Sequence, residues 1–312
     1  MPRLTGAFRP RCGVAWDASP DREYNWGVPE LPEVETARRV IADQALHRRI
    51  VDVNDTDTYI ARPHAPGQIK AALAGRSLTA AHRRGKTMWL ETSGADGSPA
   101  PGPDLGIHLG MSGSIIVVTA GQAAEGGEPH WQGTWPRNPR WERFSLEFAD
   151  GGRLVLSDPR RLGRVRLNPD IGTLGPDALT VSREEFRKLI MKGRIAVKAR
   201  LLDQSRIAGV GNLLADEALW QAKLSPSAPV DTLTAARVDR LYGALRATLE
   251  AAIASGGAHT GDMISARHPG GRCPRCGAEM RHSVVGGRST WWCSREQAPR
   301  RPARPRSAVR KA

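Results

Sequence analysis

Only four cysteines occur in the 312 residues, and three of them crowd into one stretch near the C-terminus. Cys273 and Cys276 form C-x2-C. Sixteen residues separate Cys276 from Cys293, and Glu296 stands where a second C-x2-C would close. Two such knuckles normally place four thiolates around a tetrahedral zinc. Three thiolates with a carboxylate oxygen are a less typical donor set, and His268 and His282 are rival fourth ligands. So few cysteines, so close together, read as a metal site and not a disulfide framework. The alternative is a metal-free finger held by packing.

A second constellation is "AGVGNLLADEAL", two helical patterns joined by a glycine-rich turn. Gly209 and Gly211 let the backbone approach a ligand closely, and Asn212 is expected at the N-cap of the second helix. Free N–H groups at a helix start suit a phosphate. An ordinary capped hairpin would carry the same pattern. "HRRGKTMWL" places Arg83, Arg84 and Lys86 at a turn into a strand, "SDPRRLG" places Arg160 and Arg161 just after one, and "HLGMSG" puts Met111 on a tight loop. Singly these are solvated charge or ordinary core. Together they suit phosphate contacts and an apolar wedge into a base stack.

The charge points the same way. Lys and Arg number 46 against 32 Asp and Glu, a formal net charge of +14. A polyanionic partner follows, nucleic acid ahead of an anionic membrane. The longest apolar run, Ser114 to Ala120, falls far short of the roughly 20 residues of a membrane helix. The N-terminus has no secretory apolar core, so a cytoplasmic protein is the default.

The elements that must position these residues suggest two main domains. Pro32 suits the first turn of a helix, and Glu33 and Glu35 complement its dipole. Val34, Ala37, Ile41 and Ala45 give that helix an apolar stripe. Strands are predicted over Arg49 to Asp55, Lys86 to Thr92 and Ser114 to Ala120. A hairpin is predicted with Phe144, Leu146 and Phe148 alternating before a turn at Asp150-Gly151-Gly152. Gly121 to Arg140 reads as a surface loop and Pro169 to Asp177 as a linker. The rest is helical: Ser182 caps one segment, "VKARLLDQ" and "NLLADEALWQA" flank the glycine turn, and a long helix ends at Gly256-Gly257. The Arg/Pro-rich tail, 298–312, reads as disordered.

Taken jointly and in order, "PELPEVE", "HLGMSG", "DPRR-G", "LLDQ…AGVGN…ADEAL" and the terminal finger resemble the formamidopyrimidine-DNA glycosylase/endonuclease VIII family. The likeness runs from Pro29 to Glu296. It implies an α+β fold: a β-sandwich with flanking helices over 29–168, a helix–two-turns–helix domain over 178–257, and a β-hairpin zinc finger over 263–297. It implies a monomeric bacterial enzyme, associated with the nucleoid, whose partner is damaged double-stranded DNA and whose cofactor is one structural zinc per chain, held by Cys273, Cys276, Cys293 and Glu296. Pro29 matches the family's catalytic N-terminal proline, Glu30 the acid beside it, and Glu33 the second acid of the motif. Lys86 matches the lysine that grips phosphate near the lesion, Asn212 the turn asparagine and Arg288 the finger arginine. Met111 and Arg160 match residues that fill the gap left by an extruded base. The third filler is usually aromatic in the oxidised-purine branch, and here it is Leu162.

The implied activity is a bifunctional glycosylase and abasic-site lyase of base excision repair. A catalytically silent damage-binding protein on the same fold is the alternative. Catalysis of this kind needs a free N-terminal proline, a secondary amine with a pKa of about 8. In the 312-residue chain Val28 precedes Pro29. A GTG codon encodes valine internally but methionine at a start, so Val28 is expected to mark the true start, its methionine then being removed to free Pro29, and residues 1–28 are expected to be a non-native extension of the mature chain. A leader that is proteolysed, or one that leaves the protein inactive, competes with that reading. Finally, only Ala258 to Arg272 separate Gly257 from Cys273, too few for the loop that closes over 8-oxoguanine in the oxidised-purine enzymes. Ring-opened purines and some oxidised pyrimidines are therefore expected as substrates, with weak excision of 8-oxoguanine.

Overall fold

The computed structural model describes residues 28–95, 98–127 and 138–298. The expectations for residues 1–27 and for the tail beyond Ala298 lie outside the described residues. Helix α1 (Leu31–Gln44) starts as the motif predicts, with Pro32 in its first turn and Glu33 Oε2 accepting from Glu30 N at 2.9 Å. Its stripe of Val34, Ala37, Ile41 and Ala45 is fully buried.

Those side chains enter a core built by two antiparallel sheets. One has the order β1-β7-β8-β5-β6, from β1 (Ile50–Asn54), β5 (Ser114–Thr119), β6 (Gln122–Gly127), β7 (Glu142–Phe148) and β8 (Arg153–Ser157). The other has the order β2-β3-β4-β9, from β2 (Leu78–Arg84), β3 (Thr87–Thr92), β4 (Leu105–His108) and β9 (Arg164–Leu167). Two short helices, α2 (Thr58–Ala61) and α3 (Gln68–Leu73), follow β1. The alternating Phe144, Leu146 and Phe148 of β7 are buried as expected. They meet Met88, Leu90, Leu105, Ile107 and Val165 from the second sheet in the same core.

One expectation is corrected here. Gly121 to Arg140 is not a loop throughout: β6 pairs with β5 along its whole length, from Thr119↔Gln122 to Ser114↔Gly127. The glycines that suggested a loop serve a close approach. A Cβ on Gly126 would stand 2.5 Å from the carbonyl carbon of Thr36 in α1, so only glycine lets the strand lie under the helix. Residues 128–137 of the expected loop lie outside the described residues.

The helical half contains α4 (Arg183–Ile190), α5 (Val197–Leu202), α6 (Asn212–Gln221) and α7 (Ala235–Ser255). Ser182 Oγ caps α4 by accepting from Glu185 N, and Gly256 ends α7 at φ +92°. These helices share a second core, to which α1 contributes Leu31. Antiparallel β10 (Met280–Val285) and β11 (Arg288–Cys293) then form the finger hairpin, turning at Gly286-Gly287. Among the described residues no helix is long and apolar enough to cross a membrane.

Candidate active site and nucleic-acid cleft

The site is assembled around the first turn of α6. Its N-cap is Gly211, with Asn212 as the first helical residue, one position from the expected place. The cap comes from 181 residues upstream. Glu30 Oε2 accepts from Gly211 N at 2.8 Å and Leu214 N at 3.2 Å, and Glu30 Oε1 accepts from Leu213 N at 2.8 Å. The free N–H groups and the positive end of the helix dipole thus hold a carboxylate. Only glycine fits at 211, because a Cβ there would stand 2.2 Å from Cδ of Glu30. Gly209, at φ +113°, is needed for the same reason: its Cβ would meet Leu31 at 2.6 Å. The backbones are joined directly by Leu31 N donating to Gly209 O at 3.2 Å.

Behind Glu30 lies Glu33, equally buried. Its carboxylate accepts from Glu30 N and, at 2.5 Å, from Ala258 N beyond the end of α7. Burial raises the pKa of both acids above 4.5; Lys86 and the backbone donors oppose the rise, and Glu33 adds to it at Glu30. Burial also pushes the Lys86 amine down, and Arg288 adds to that while Glu30 and Glu33 pull it back. His108 is lowered by burial, then by Lys86 and Arg166, so its imidazole stays neutral near pH 7.

The hairpin turn that carries Lys86 is clamped from the other half of the molecule. Asp177 Oδ2 accepts from Gly85 N at 2.6 Å and pairs with Arg83 Nη1 at 2.5 Å, while Arg83 Nε also reaches Glu35 at 3.0 Å. The stretch predicted as a linker therefore ends in a tie that fixes Lys86. A similar device organises the two loops expected to fill a base gap. Buried Asp158 accepts from Ser112 Oγ, one residue after Met111, and from the backbone N–H groups of Arg160, Leu162 and Gly163.

Glu30, Lys86, His108, Met111, Asn212 and Arg288 line one cleft of about 630 Å³, with Val28, 36% exposed, at its edge. Pro29 is buried beside it. Arg160 is exposed and Leu162 half-buried on the adjoining loop, outside the cleft lining. Asn212 Oδ1 is buried without a hydrogen-bond partner, an acceptor left open at the cleft wall.

Arg288 reaches the cleft because the finger hairpin spans from it to the cysteines. The register runs from Val285↔Arg288 at the tip to Met280↔Cys293 at the base, about 17 Å at 3.4 Å per residue. The hairpin is anchored by a buried ion cluster: Lys198 Nζ lies 2.6 Å from Asp216 Oδ1 and 2.8 Å from Thr290 Oγ1, and Arg267 pairs with Asp216 Oδ2 at 3.0 Å. At the base, the sulfurs of Cys273, Cys276 and Cys293 lie within 4.8 Å of one another. Glu296, expected as the fourth ligand, is turned to Lys223 and Arg275 instead, at 2.9 and 2.8 Å. The rival histidines are also engaged elsewhere, His282 with Ser289 Oγ and His268 with Pro269 O.

Sequence reasoning gave no role to Asp158, Asp177, His108 or the Lys198–Asp216–Arg267 cluster. Asp158, His108, Lys198 and Asp216 lay inside the quoted stretches, so their position was visible although their partners were not.

Two family models match the chain: the formamidopyrimidine-DNA glycosylase N-terminal domain over residues 28–165 and the formamidopyrimidine-DNA glycosylase H2TH domain over residues 174–263. A formamidopyrimidine-DNA glycosylase of Chloroflexus aggregans is 35% identical over 294 residues, spanning 85% of this chain and 97% of its own. A Lactococcus lactis Fpg in complex with abasic-site DNA superposes with a TM-score of 0.70 at 27% identity, covering 86% of this chain and all of the other. The Lactococcus lactis Fpg bound to DNA containing FAPY-dG superposes with a TM-score of 0.70 at 28% identity, over the same shares.

Proposed function

The chain belongs to the formamidopyrimidine-DNA glycosylase family, and on that premise we propose that it is a bifunctional glycosylase and abasic-site lyase acting through Pro29. The observation that carries the reading is one cleft lined by Glu30, Lys86, Met111, Asn212 and Arg288 at the edge of the Pro29 segment. With its nitrogen free, Pro29 is a secondary amine with a pKa of about 8, so about a tenth of it is neutral and nucleophilic at pH 7, against almost none of a lysine side chain. It attacks C1′ of the damaged nucleoside and the C1′–N bond breaks, the base leaving with the electron pair. The C1′–O4′ bond then breaks, O4′ taking a proton, and leaves an iminium that acidifies the C2′ proton; β-elimination expels the 3′-phosphate and δ-elimination the 5′-phosphate, which cleaves the strand.

Glu30 holds a proton above the usual carboxylate range, so it can give one to the opening sugar or the departing base. Lys86, Asn212 and Arg288 grip phosphates, and Met111, Arg160 and Leu162 fill the space left by the flipped base. Glu33 fixes the turn that carries Glu30. We read 29–168, 178–257 and 263–297 as the catalytic, helix–two-turns–helix and finger domains, and the three thiols as holding one structural zinc.

Borohydride trapping on abasic DNA tests the mechanism. A chain processed to Pro29 is expected to form the covalent adduct, Pro29→Gly to impair it, and any retained upstream residue to abolish it. Efficient trapping by the 312-residue chain would overturn the reading. The silent damage-binding alternative is favoured by one observation: in that chain the Pro29 nitrogen is bonded to Val28 and is not a nucleophile. It predicts tight lesion binding without trapping from either form.

On the lesion, we propose ring-opened purines and some oxidised pyrimidines ahead of 8-oxoguanine. The short Ala258 to Arg272 segment is folded down onto α6, Met263 N donating to Glu217 Oε2 at 3.0 Å with Met263 fully buried. Such a segment supplies no long cap to read an oxidised purine edge, and unmade polar contacts decide specificity strongly. Parallel excision from duplexes with formamidopyrimidine, thymine glycol and 8-oxoguanine checks this. 8-Oxoguanine opposite cytosine as the best substrate would refute it.

A further inference from the structure

The base of the finger contains a contradiction between its donor set and its packing. Three thiols converge, with Cys276 Sγ and Cys293 Sγ 3.4 Å apart. Tetrahedral zinc asks for a fourth donor. The residue in the right register, Glu296, directs its oxygens to cations, Oε1 to Lys223 Nζ and Oε2 to Arg275 Nη1, and does not join the three sulfurs in their 4.8 Å cluster. To ligate a metal it would have to leave two ion pairs, one of them with an arginine that is itself held in place. Arg275 Cζ sits over the Trp220 ring, 3.7 Å from its centroid, and the guanidinium donates to Trp220 O at 3.2 Å and to Gln221 Oε1 at 2.9 Å.

The neighbouring side chains complete a set of ties that need no metal. Buried Gln297 accepts from Cys293 N and donates to Leu224 O, both at 2.8 Å. Trp220 Nε1 donates to Cys273 Sγ at 3.3 Å, a contact that favours the thiolate over the thiol. The finger base is thus bolted to the C-terminal end of α6 through Arg275, Glu296, Gln297 and Trp220. This is where a fourth ligand would otherwise add rigidity.

We propose that the finger's metal is held by the three thiolates of Cys273, Cys276 and Cys293 alone, with a water oxygen from solvent in the fourth position, and that Glu296 is a structural tie to α6 and not a ligand. The inference rests on the zinc reading of the thiols and goes beyond it in assigning the fourth position to solvent. Its consequence is a metal that exchanges more readily than one in a closed four-thiolate shell, while the hairpin keeps its place.

The test uses the full-length chain loaded with zinc, measuring zinc content, release to a chromogenic chelator and thermal unfolding. The parent chain is expected to hold one zinc. Losing even an outer partner that orients a ligand normally costs about 10–100-fold in metal affinity, and losing a ligand is expected to cost no less. We expect Glu296→Gln to leave the release rate within about threefold, below that range, yet to lower the unfolding midpoint in both the loaded and the stripped protein. Glu296→Cys, which closes the second C-x2-C, is expected to slow release by about tenfold or more by supplying a fourth thiolate. X-ray absorption on zinc-loaded Glu296→Gln is expected to keep three sulfurs and one light atom. Release accelerated by about tenfold or more in Glu296→Gln would make Glu296 a ligand and overturn the inference, as would a release rate unchanged by Glu296→Cys. A folded parent chain that takes up no zinc would overturn the zinc reading itself, a separate and recognisable result.

Discussion

The motif "PELPEVE" supplies three glutamates to two regions only a helical turn or two apart, and the two regions treat a carboxylate in opposite ways. Glu30 and Glu33 face backbone N–H donors in a dry pocket, and burial raises both above 4.5. Burial would raise Glu35 as well, but hydrogen bonds from Arg38 and Arg83, and then Arg39, hold it at about 2. At Glu30 and Glu33 the backbone N–H donors and Lys86 favour the anion but are outweighed by burial, whereas at Glu35 the guanidiniums outweigh burial and hold the anion. Burial thus favours the neutral acid in the first region, and the arginines favour the anion in the second. The second region is instead a tie: Arg83 lies between Glu35 of α1 and Asp177 at the entrance to the helical half.

Four substitutions probe that division, beginning with the largest effect. Glu30→Gln places an amide N–H₂ against N–H donors at the start of α6 and removes the proton. Base excision is expected to fall by about 10²–10⁴-fold, with a lower melting temperature, read by single-turnover kinetics and calorimetry. Full excision by this variant would erase the distinction between the two regions. Next, Asp177→Ala strips a buried partner from Arg83 and an acceptor from Gly85 N. Unfolding in urea is expected to show a loss of about 3–5 kcal/mol, and the Lys86 turn should loosen, raising KM for duplex substrate.

Glu35→Gln is smaller and carries a pH signature. A depressed folded pKa contributes stability that is present above 4.5 and is lost as pH falls through about 2. The melting difference between parent and Glu35→Gln should therefore be full at neutral pH and close as pH approaches 2. Glu30 and Glu33 have the opposite sign: their raised pKa favours the fold fully below 4.5, and that contribution is lost as pH rises through the folded value. A difference for Glu35→Gln that persists unchanged at pH 2 would mean the arginines do not hold it. The smallest effect belongs to Arg288→Ala. It should lower the salt slope of duplex binding by about one unit, evenly across lesions. It also removes one cause of the depressed Lys86 pKa, which should rise.

The first helix, the β7–β8 hairpin and the helices of the second half were legible because their apolar period and caps are local signals. β6 was not, since its glycines look like a loop until α1 is seen lying on them. β4 and β9, four residues each, are too short for a period to show. β2 was hidden because "LTAAHRR" leaves most of its residues half-buried, with no clean alternation. At the site, the sequence could indicate that Glu30 and the glycine turn matter, through resemblance, but not that one caps the other, because that contact spans 181 residues. The place of Asn212 was missed by one position for the same reason. The cap that displaced it comes from outside the helix. Glu296 was a fair expectation from spacing, and only three-dimensional proximity shows the cations that compete for it.

The distant cap has a consequence for the order of events as the chain is made. Glu30 leaves the ribosome long before Gly211, Leu213 and Leu214 exist. At the usual 5–20 residues per second the gap is roughly 10–40 s. Through that interval a carboxylate destined for a dry pocket stays in water, and the first turn of α1 has no Gly209 carbonyl to receive its Leu31 N–H. The sandwich can gather its core around Val34, Ala37 and Ile41 in the meantime. The cleft around Glu30 is completed only when the turn before α6 arrives, so a nascent or truncated chain that stops short of it lacks both the cap and the far wall of that cleft.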